Sequence, residues 1–314
     1  MSYSFLRESK LYIVYSGDKY RIYTSSAISL DQTFAEDSYS VKTLHDQSKM
    51  FEGSSITKAN PAEFSFDVPL TIEKDESIII DLACDLVATA EADIEHQQLK
   101  SFDIYIQTGS STFQLEGAVI TGATFDFVPE NQFQIRLEGQ GKKLTRAGDE
   151  SYSIPGSAQS ESATRTPLIV YPVITADSLD MSSIISCNLQ LQNEISWTPY
   201  QTINDAFNVT DSSNAMFPST YTVNSRVLSG EIRQYQNDNN VAQFDDFSTN
   251  TNLTLKAVEV GKASNATPFL QANINPCMYT ARMGMEEVYA QSYDFRSLDN
   301  DALDDIITEY ENKY

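Results

Sequence analysis

The segment from Ala62 to Val68 alternates strictly between apolar and polar residues. The alternating residues are Phe64, Phe66 and Val68 on one side and Glu63, Ser65 and Asp67 on the other. Successive side chains of a strand point to opposite faces of its sheet, so this pattern predicts a strand with one buried and one exposed face. The chain must therefore build a sheet whose other parts cover three large apolar side chains.

The order of predicted elements in the first half is repeated in the second half. The first half has short strands, a polar stretch at 35–60, the alternating strand, a helix and a closing group of strands. The second half has another polar stretch at about 200–225, with Leu228–Arg233 in the place of the alternating strand. We therefore predict a mainly β fold with one helix per repeat, in which one β-domain is duplicated.

The duplication divides the chain into four predicted regions. They are a first β-domain (1–145), a linker (146–166), a second β-domain (167–298) and an acidic C-terminal tail or helix (299–314). The linker prediction rests on Ser-, Ala- and Gly-rich sequence around Pro155. The second domain opens with Leu168–Tyr171, which we align with Leu11–Tyr15 of the first.

A helix is predicted from Asp75, as its capping residue, to about Asp93. Its apolar face would hold Ile79, Leu82, Ala83, Leu86 and Ala90. A shorter helical pattern in the second half would place Val241, Phe244 and Phe247 on one face.

The charge of the chain excludes a general nucleic-acid binder. It has 44 Asp and Glu against 21 Lys and Arg, a net charge of −23, whereas binding to phosphates requires clustered cations. No apolar run approaches the ~18 residues of a spanning helix, and we expect neither a signal peptide nor a membrane. The three cysteines are too far apart in sequence to suggest a disulfide framework or a CxxC metal site.

Catalytic chemistry finds little support in the residues. The two histidines, His45 and His96, are expected to be surface residues, and Glu286 and Glu287 would point to opposite faces of a strand. Trp197 could be a sugar-stacking platform, but a core or interface anchor is the favoured interpretation. We expect no enzyme activity, no catalytic residue, no cofactor and no metal site.

The repeated order resembles the major tail tube protein of long-tailed bacteriophages, in the variant that fuses two tube domains in one chain. The stretches that carry the resemblance are Phe5–Val14, Pro61–Phe66, Ala123–Gly139 and Glu194–Pro199. The resemblance implies tail-tube-type β-sandwich domains whose sheets close into a barrel across subunits. It further implies that three chains form a ring of six domains, and that stacked rings form the tube through which DNA leaves the virion.

The resemblance also implies partners and a location. The chain would bind itself in trimeric rings and would contact the tape measure, baseplate and terminator proteins, and the sheath protein where the tail has a sheath. DNA would pass through the lumen without specific binding. The protein would be assembled in the cytoplasm of the bacterial host and reside in the virion tail.

Two groups of residues are predicted to act in the assembled tube. The polar face of the alternating strand and its counterpart in the second half would line the lumen, through Glu63, Ser65, Asp67, Ser229, Glu231 and Arg233. The polar stretch at 40–60 has too few apolar residues for its own core and would anchor on a partner during assembly, through Lys49, Met50, Phe51 and Ile56.

Two alternatives stay open at this point. One is another phage tail component that shares the fold, such as a baseplate or tail-completion protein. The other is a β-sandwich module for glycan binding, for example an adhesin, which would show exposed aromatic residues and paired acids in one cleft.

Overall fold

The structure is a computed structural model, and the part of the chain it describes is mainly β, as predicted. The described residues are 9–39, 53–84, 86–87, 98–128, 131–177, 179–197, 217–218, 220–240, 250–284, 288–297 and 307–310.

The first half contains thirteen of the described strands and the helix α1. In chain order they are β1 (Lys10–Tyr15), β2 (Asp18–Ile22), β3 (Ser29–Asp31), β4 (Phe34–Tyr39), β5 (Gly53–Ala59), β6 (Ala62–Pro69), α1 (Ser77–Cys84), β7 (Leu86–Val87), β8 (Gln98–Leu99), β9 (Phe102–Gln107), β10 (Thr112–Phe127), β11 (Gln134–Gly141), β12 (Lys143–Gly148) and β13 (Ser157–Ala158).

The second half contains seven described strands. They are β14 (Val170–Ala176), β15 (Ile184–Trp197), β16 (Tyr221–Tyr235), β17 (Asn250–Glu259), β18 (Leu270–Gly284), β19 (Ala290–Ser297) and β20 (Ile307–Tyr310). The polar stretch at 200–225 was expected to be a loop, but its last residues belong to β16. This strand begins at Tyr221, which pairs with Trp197 at the end of β15.

The two halves repeat one strand order. In the first half the neighbours are β3-β6-β11-β10-β9-β1, and in the second they are β15-β16-β19-β18-β17-β14, with all these neighbours antiparallel. β12 pairs with the start of β10 as β20 pairs with the start of β18. We call two residues equivalent when they hold the same place in these two ladders. The predicted duplication is thus visible in the pairing itself.

The equivalence fixes the register between the repeats. Ser65 pairs with Glu138 as Glu231 pairs with Asp294, so the alternating strand and Leu228–Arg233 match as the sequence suggested. The match of the first strands is different. Lys10 lies opposite Gln107 on β9, and Val173 lies opposite Lys256 on the equivalent β17. Val119 pairs with Gln140 as Met278 pairs with Arg296, and counting back seven residues on both strands makes Thr112 equivalent to Gln271. These two residues pair with Gln107 and Lys256, so Lys10 is equivalent to Val173. The alignment of Leu168–Tyr171 with Leu11–Tyr15 is therefore out of register.

One strand joins the two repeats. The second half of β10, Gly122–Phe127, pairs with β11 on one side and with β15 on the other. The sheet consequently runs without a break from the first repeat into the second. Phe125 of β10 lies opposite Leu189 of β15, and both are fully buried. Within the described residues the sheet does not close on itself.

The core lies between two layers in the first repeat. The start of β10 belongs to the layer with β1, β2 and β9, and the bulge next to Gly117 (φ +60°) turns the strand into the other layer. Phe64 of β6 meets Phe102 of β9 edge to face, with ring centroids 6.2 Å apart. This arrangement covers the apolar face of the alternating strand that the sequence required to be buried.

Helix α1 is shorter than predicted. It ends at Cys84, and Leu86–Val87 form strand β7, which pairs with β8; residues 88–97 lie outside the described residues. Its buried residues include Ile78 and Ile80 as well as Ile79, Leu82 and Ala83 of the predicted face, because the helix is enclosed by the core. Arg226 of β16 donates hydrogen bonds to the carbonyls of Ala83 and Cys84 at the end of the helix. The helical pattern at Val241–Phe247 lies outside the described residues.

Residues 146–166 lie against the first repeat. β13 adds to β2 as a parallel strand, and Arg165 forms ion pairs with the buried Asp75 (3.7 Å) and Glu76. The Arg165 guanidinium also stacks on the Tyr23 ring at 3.8 Å. The predicted linker thus packs against the first repeat through strand pairing, ion pairs and ring stacking. The boundaries of the two domains remain a prediction.

The polar stretch at 35–60 and the acidic region 299–314 are each described in part. The polar stretch at 35–60 is an extended hairpin in its described parts, with β4 paired to β5 and Tyr39 opposite Gly53. In the acidic region 299–314 the described residues form β20 instead of a helix or free tail. The pairing of Ile307–Tyr310 with the edge of β18 satisfies backbone groups of both strands and accounts for this difference.

Candidate functional site

Along the strands from β3 to β18, polar residues predominate on one face of the continuous sheet. Residues directly opposite each other on paired strands share a face, so the ladder from β3 to β18 identifies the set. We define the polar face as these polar residues: Ser29, Asp31, Glu63, Ser65, Asp67, Arg136, Glu138, Gln140, Thr124, Asp126, Asn188, Gln190, Ser229, Glu231, Arg233, Ser292, Asp294, Arg296, Thr280 and Arg282. None of these side chains is buried.

The polar face is acidic on balance, with seven carboxylates and four arginines. Part of the positive charge is paired locally: Arg136 Nε lies 3.2 Å from the Asp67 carboxylate, and Arg282 lies 2.6 Å from that of Asp294. A shallow depression of about 400 Å³ on this face is lined in part by Ser229, Glu231 and Arg296. Such a surface repels polyanions on average, and two of its four arginines are held by neighbouring acids.

All six residues predicted to line a lumen lie on this one face. Glu63, Ser65 and Asp67 are equivalent to Ser229, Glu231 and Arg233, respectively. The opposite face carries the buried Phe64, Phe66 and Val68, so the alternation of the strand separates the two groups. That the polar face lines a lumen remains a prediction.

The predicted assembly residues are located only in part. Ile56 lies in β5 opposite Glu36, and Lys49, Met50 and Phe51 lie outside the described residues. The hairpin of β4 and β5 pairs as a two-stranded sheet of its own.

Most residues of the polar face were not predicted from the sequence. Arg136 and Glu138 alternate with the buried Ile135 and Leu137, a pattern as regular as that of the alternating strand. That signal was available in the sequence. The joining of β11, β10 and β15 into one surface was not, because strand neighbours far apart in sequence are set by tertiary pairing.

A second feature is a strand edge at the end of the second repeat. In the described part of the chain, no strand pairs with residues 280–284 of β18 on the side opposite β19; we call these residues the β18 edge. Met283 on this edge is 43% exposed, whereas its equivalent Phe125 is fully buried under β15. At the other end of the sheet, β3 pairs with β6 alone among the described strands; we call its residues 29–31 the β3 edge. β3 is the equivalent of β15.

The described residues hold no arrangement suited to metal binding. No three His, Cys, Asp or Glu side chains among them come together in a way that could hold an ion, and His45 and His96 lie outside these residues. Burial raises the pKa of the Cys277 thiol to about 12 and that of Cys187 far above its ordinary range. Both are core thiols, too rarely ionised at neutral pH to act as nucleophiles.

Trp197 lies next to the polar face at the far end of β15. Its indole N–H donates to the side-chain oxygen of Gln140 (2.8 Å), and its ring meets Tyr221 edge to face at 5.2 Å. Tyr221 donates in turn to the carbonyl of Leu99 (2.9 Å). These contacts support the interpretation as an anchor between the repeats, since Gln140 belongs to the first and Trp197 to the second.

In a comparison with protein families, residues 1–314 match the bacteriophage baseplate tube protein family. The chain belongs to this family. It is a structural protein of the bacteriophage tail or baseplate, and its place is in the virion. No curated protein matches it. In the described residues there is no helix long and apolar enough to cross a membrane.

The family refines the prediction from sequence. A phage tube component is confirmed, and the baseplate that was named as an alternative is the part of the tail that the family description gives. The more specific resemblance, to the two-domain major tail tube protein, stays a prediction.

Proposed function

We propose that this baseplate tube protein forms closed rings by repeating between chains the strand junction that already joins its two repeats. The junction of β10 with β15 carries the proposal. β18 is the equivalent of β10, and β3 is the equivalent of β15. Pairing of the β18 edge of one copy with the β3 edge of the next would continue the sheet in the same direction.

The register of this contact follows from the internal one. Thr124, Phe125 and Asp126 lie opposite Gln190, Leu189 and Asn188 in the β10–β15 junction. By equivalence Arg282 would lie opposite Asp31 of the neighbour, Met283 opposite Leu30 and Gly284 opposite Ser29. The apolar Met283 would meet an apolar residue and the cation would meet an acid.

Ring closure has a physical benefit for the chain. An open edge with an exposed apolar residue is a template for uncontrolled aggregation, and closing the sheet removes it. The head-to-tail contact is heterologous, and such contacts form rings when the rotation closes. With two repeats per chain, three copies would give the six repeats that the resemblance to tail tubes implies.

The polar face would then surround a channel. Double-stranded DNA carries one charge per about 1.7 Å, so a wall that is acidic on balance allows it to pass without binding. Stacked rings of this kind would form the baseplate part of the conduit for DNA ejection. Other tail and baseplate proteins would bind the two ends of the stack.

The oligomeric state tests this proposal. We expect native mass spectrometry and electron microscopy of the purified protein to show rings of three copies. Met283→Asp should prevent ring formation, because it places a charge against Leu30. The matched control Met283→Phe should keep the rings, since phenylalanine is the native residue at the equivalent position 125. A monomer at concentrations where particles assemble, or rings unaffected by Met283→Asp, would contradict the proposal.

A further inference from the structure

The end of the first repeat is covered by the segment that leads into the second. Leu70 follows β6 and Phe133 precedes β11, and each is 1% exposed. The Phe133 amide donates to the Leu168 carbonyl (2.7 Å), and the Leu168 amide donates to the Leu70 carbonyl (3.0 Å). Next to them, the Ile72 amide donates to the carbonyl of Thr166 (3.0 Å). Residues 166–168 thus lie across this end as a short extra strand.

The same end of the second repeat is exposed. Gln236 and Tyr289 are equivalent to Leu70 and Phe133, and they keep the same bond: the Gln236 amide donates to the Tyr289 carbonyl at 2.9 Å, as the Leu70 amide does to that of Phe133. Tyr289 is nevertheless 52% exposed, against 1% for Phe133. Tyr235 and Val288 beside it are 47% and 55% exposed. Exposed tyrosines with an apolar neighbour are typical of a surface that another chain covers.

The register identifies the segment that corresponds to residues 166–168. Lys10 is equivalent to Val173, so counting back along the chain makes Phe5 equivalent to Leu168 and Ser4 equivalent to Pro167. Leu168 is 1% exposed in the first repeat, and the apolar Phe5 suits the same role. In the chain, residues 166–168 cover the repeat that precedes β14. Residues 3–6 lead into β1 in the same way. In a ring, the repeat that comes before β1 is the second repeat of a neighbouring copy.

We propose that residues 3–6 of one copy lie across the end formed by Tyr235, Gln236, Val288 and Tyr289 of the neighbouring copy. This inference rests on the proposed ring, and its partner is a second copy of this chain. Phe5 would be buried against Tyr289, and its amide would donate to the carbonyl of Gln236. Each subunit contact would then consist of a strand junction and an N-terminal arm that crosses it.

A pair of cysteines tests the contact. Thr71 and Pro167 form an antiparallel bridge in the first repeat, flanked by hydrogen bonds from their neighbours, which is the closer type of strand pair. The equivalent residues are Asn237 and Ser4. Ser4→Cys and Asn237→Cys are made in separate chains, each with Cys84→Ser, and the purified chains are mixed and mildly oxidised. We expect a disulfide-linked dimer in the mixture that contains one chain of each kind, shown by mass.

The ring itself is measured in the same samples. Rings without the mixed disulfide would overturn the arm contact and leave the proposed function intact. Absence of rings would contradict the proposed function, and a mixed disulfide without rings would keep the arm contact alone. A chain that carries both Ser4→Cys and Asn237→Cys is a further test. If its disulfide forms only within one chain, the inference is overturned, because the arm would then cover its own second repeat.

A second variant avoids any effect of Asn237→Cys on the local turn, in which the Asn237 side chain accepts a bond from the amide of Asn239 (2.8 Å). Phe5→Asp should raise the protein concentration needed for half-maximal ring formation about tenfold or more, since a buried apolar contact is replaced by a charge. Phe5→Leu should leave it near the unmodified value, because leucine is the native residue at the equivalent position 168. Equal assembly of Phe5→Asp and Phe5→Leu would overturn the proposal.

Discussion

Gly139 lies directly opposite Phe64 on the neighbouring strand, and a Cβ atom on Gly139 would overlap the phenylalanine ring. The second repeat holds the same pair with its members exchanged. Gly230 lies opposite Phe295, and each glycine is equivalent to the phenylalanine of the other repeat. In each repeat a phenylalanine ring thus fills the space left by the glycine opposite it. The ring comes from β6 in the first repeat and from β19 in the second.

We expect Gly139→Ala to destabilise the protein by about 1–3 kcal/mol, because the added methyl group overpacks a core that cannot open. Urea unfolding followed by circular dichroism measures the change. Gly122→Ala is the matched control, since its Cβ would meet the Glu138 side chain at an ordinary 3.6 Å. A Cβ on Gly139 would also overlap the Val119 carbonyl oxygen, so equal stability of the two variants would show that both this backbone and the Phe64 ring move aside freely.

The predicted subunit junction can be tested by charge exchange. Arg282→Glu should weaken rings, because the new carboxylate would face Asp31 of the neighbour and like charges opposite each other on strands are destabilising. Adding Asp31→Arg to the same chain should restore assembly. Arg136→Glu makes the same change of charge on the polar face beside Asp67, away from the junction, and serves as the control. If the double variant does not regain ring assembly, Arg282 and Asp31 of the neighbour do not face each other.

The polar face can be tested in particles. Changing Glu63, Asp67 and Glu231 to Lys should leave rings intact, since exposed charges contribute little to stability. DNA ejection should slow, most strongly at low salt, because cations on the channel wall would bind passing phosphates and screening is weakest there. The control carries Lys at Glu116, Glu150 and Asp238, three exposed acids outside the polar face. Unchanged ejection at low ionic strength would place the polar face away from the lumen.

The hairpin at 34–59 is expected to act in assembly. Tyr39 lies opposite Gly53, so residues 40–52, which include Lys49, Met50 and Phe51, can be replaced by Asn-Gly, a turn that suits a two-residue hairpin loop. The shortened protein should fold with unchanged thermal stability and fail to form tubes, because it lacks the apolar residues that anchor on a partner. Normal tubes in electron micrographs of this variant would show that the segment is dispensable.

Glu73 links the segment 146–166 to the first repeat in a pH-dependent way. Its carboxylate accepts hydrogen bonds from the hydroxyl (2.7 Å) and amide (2.8 Å) of Thr166, which lower its pKa from 4.5 to about 2. A carboxylate with a lowered pKa stabilises the folded chain above pH 4.5, and this contribution is lost as the pH falls from 4.5 through about 2. Glu73→Gln should therefore reduce stability at pH 7 and weaken the acid dependence in that range. Urea unfolding at several pH values, with Glu150→Gln as the control, checks the expectation.

The repeated fold was predictable from local patterns. The alternation at Ala62–Val68 has period two, and a strand with that period must separate Phe64 and Phe66 from Glu63 and Asp67 whatever its neighbours are. The match of Leu228–Arg233 to this strand also held, because both follow long polar stretches and keep the same alternation. These features depend only on residues close together in the chain.

Helix length and strand register were harder to predict. The apolar spacing from Ile79 to Ala90 fits a helix, yet Leu86 is in a strand, because pairing with Leu99 competes with continuing the helix. Leu168–Tyr171 resembles Leu11–Tyr15 in composition, but its equivalence to the N-terminal residues is visible only through the ladder with β17. Local preference is weak beside such tertiary pairing.

By itself, then, the sequence determined a duplicated β protein with buried and polar strand faces and too few cations to bind nucleic acid. Only the tertiary structure decided that β10 pairs with β15, that the polar residues of both repeats share one face, and that Met283 and Tyr289 are exposed where Phe125 and Phe133 are buried. The physical reason is range. Side-chain alternation is imposed by the geometry of each strand, whereas the partner of a strand edge is selected by packing among residues tens of positions apart.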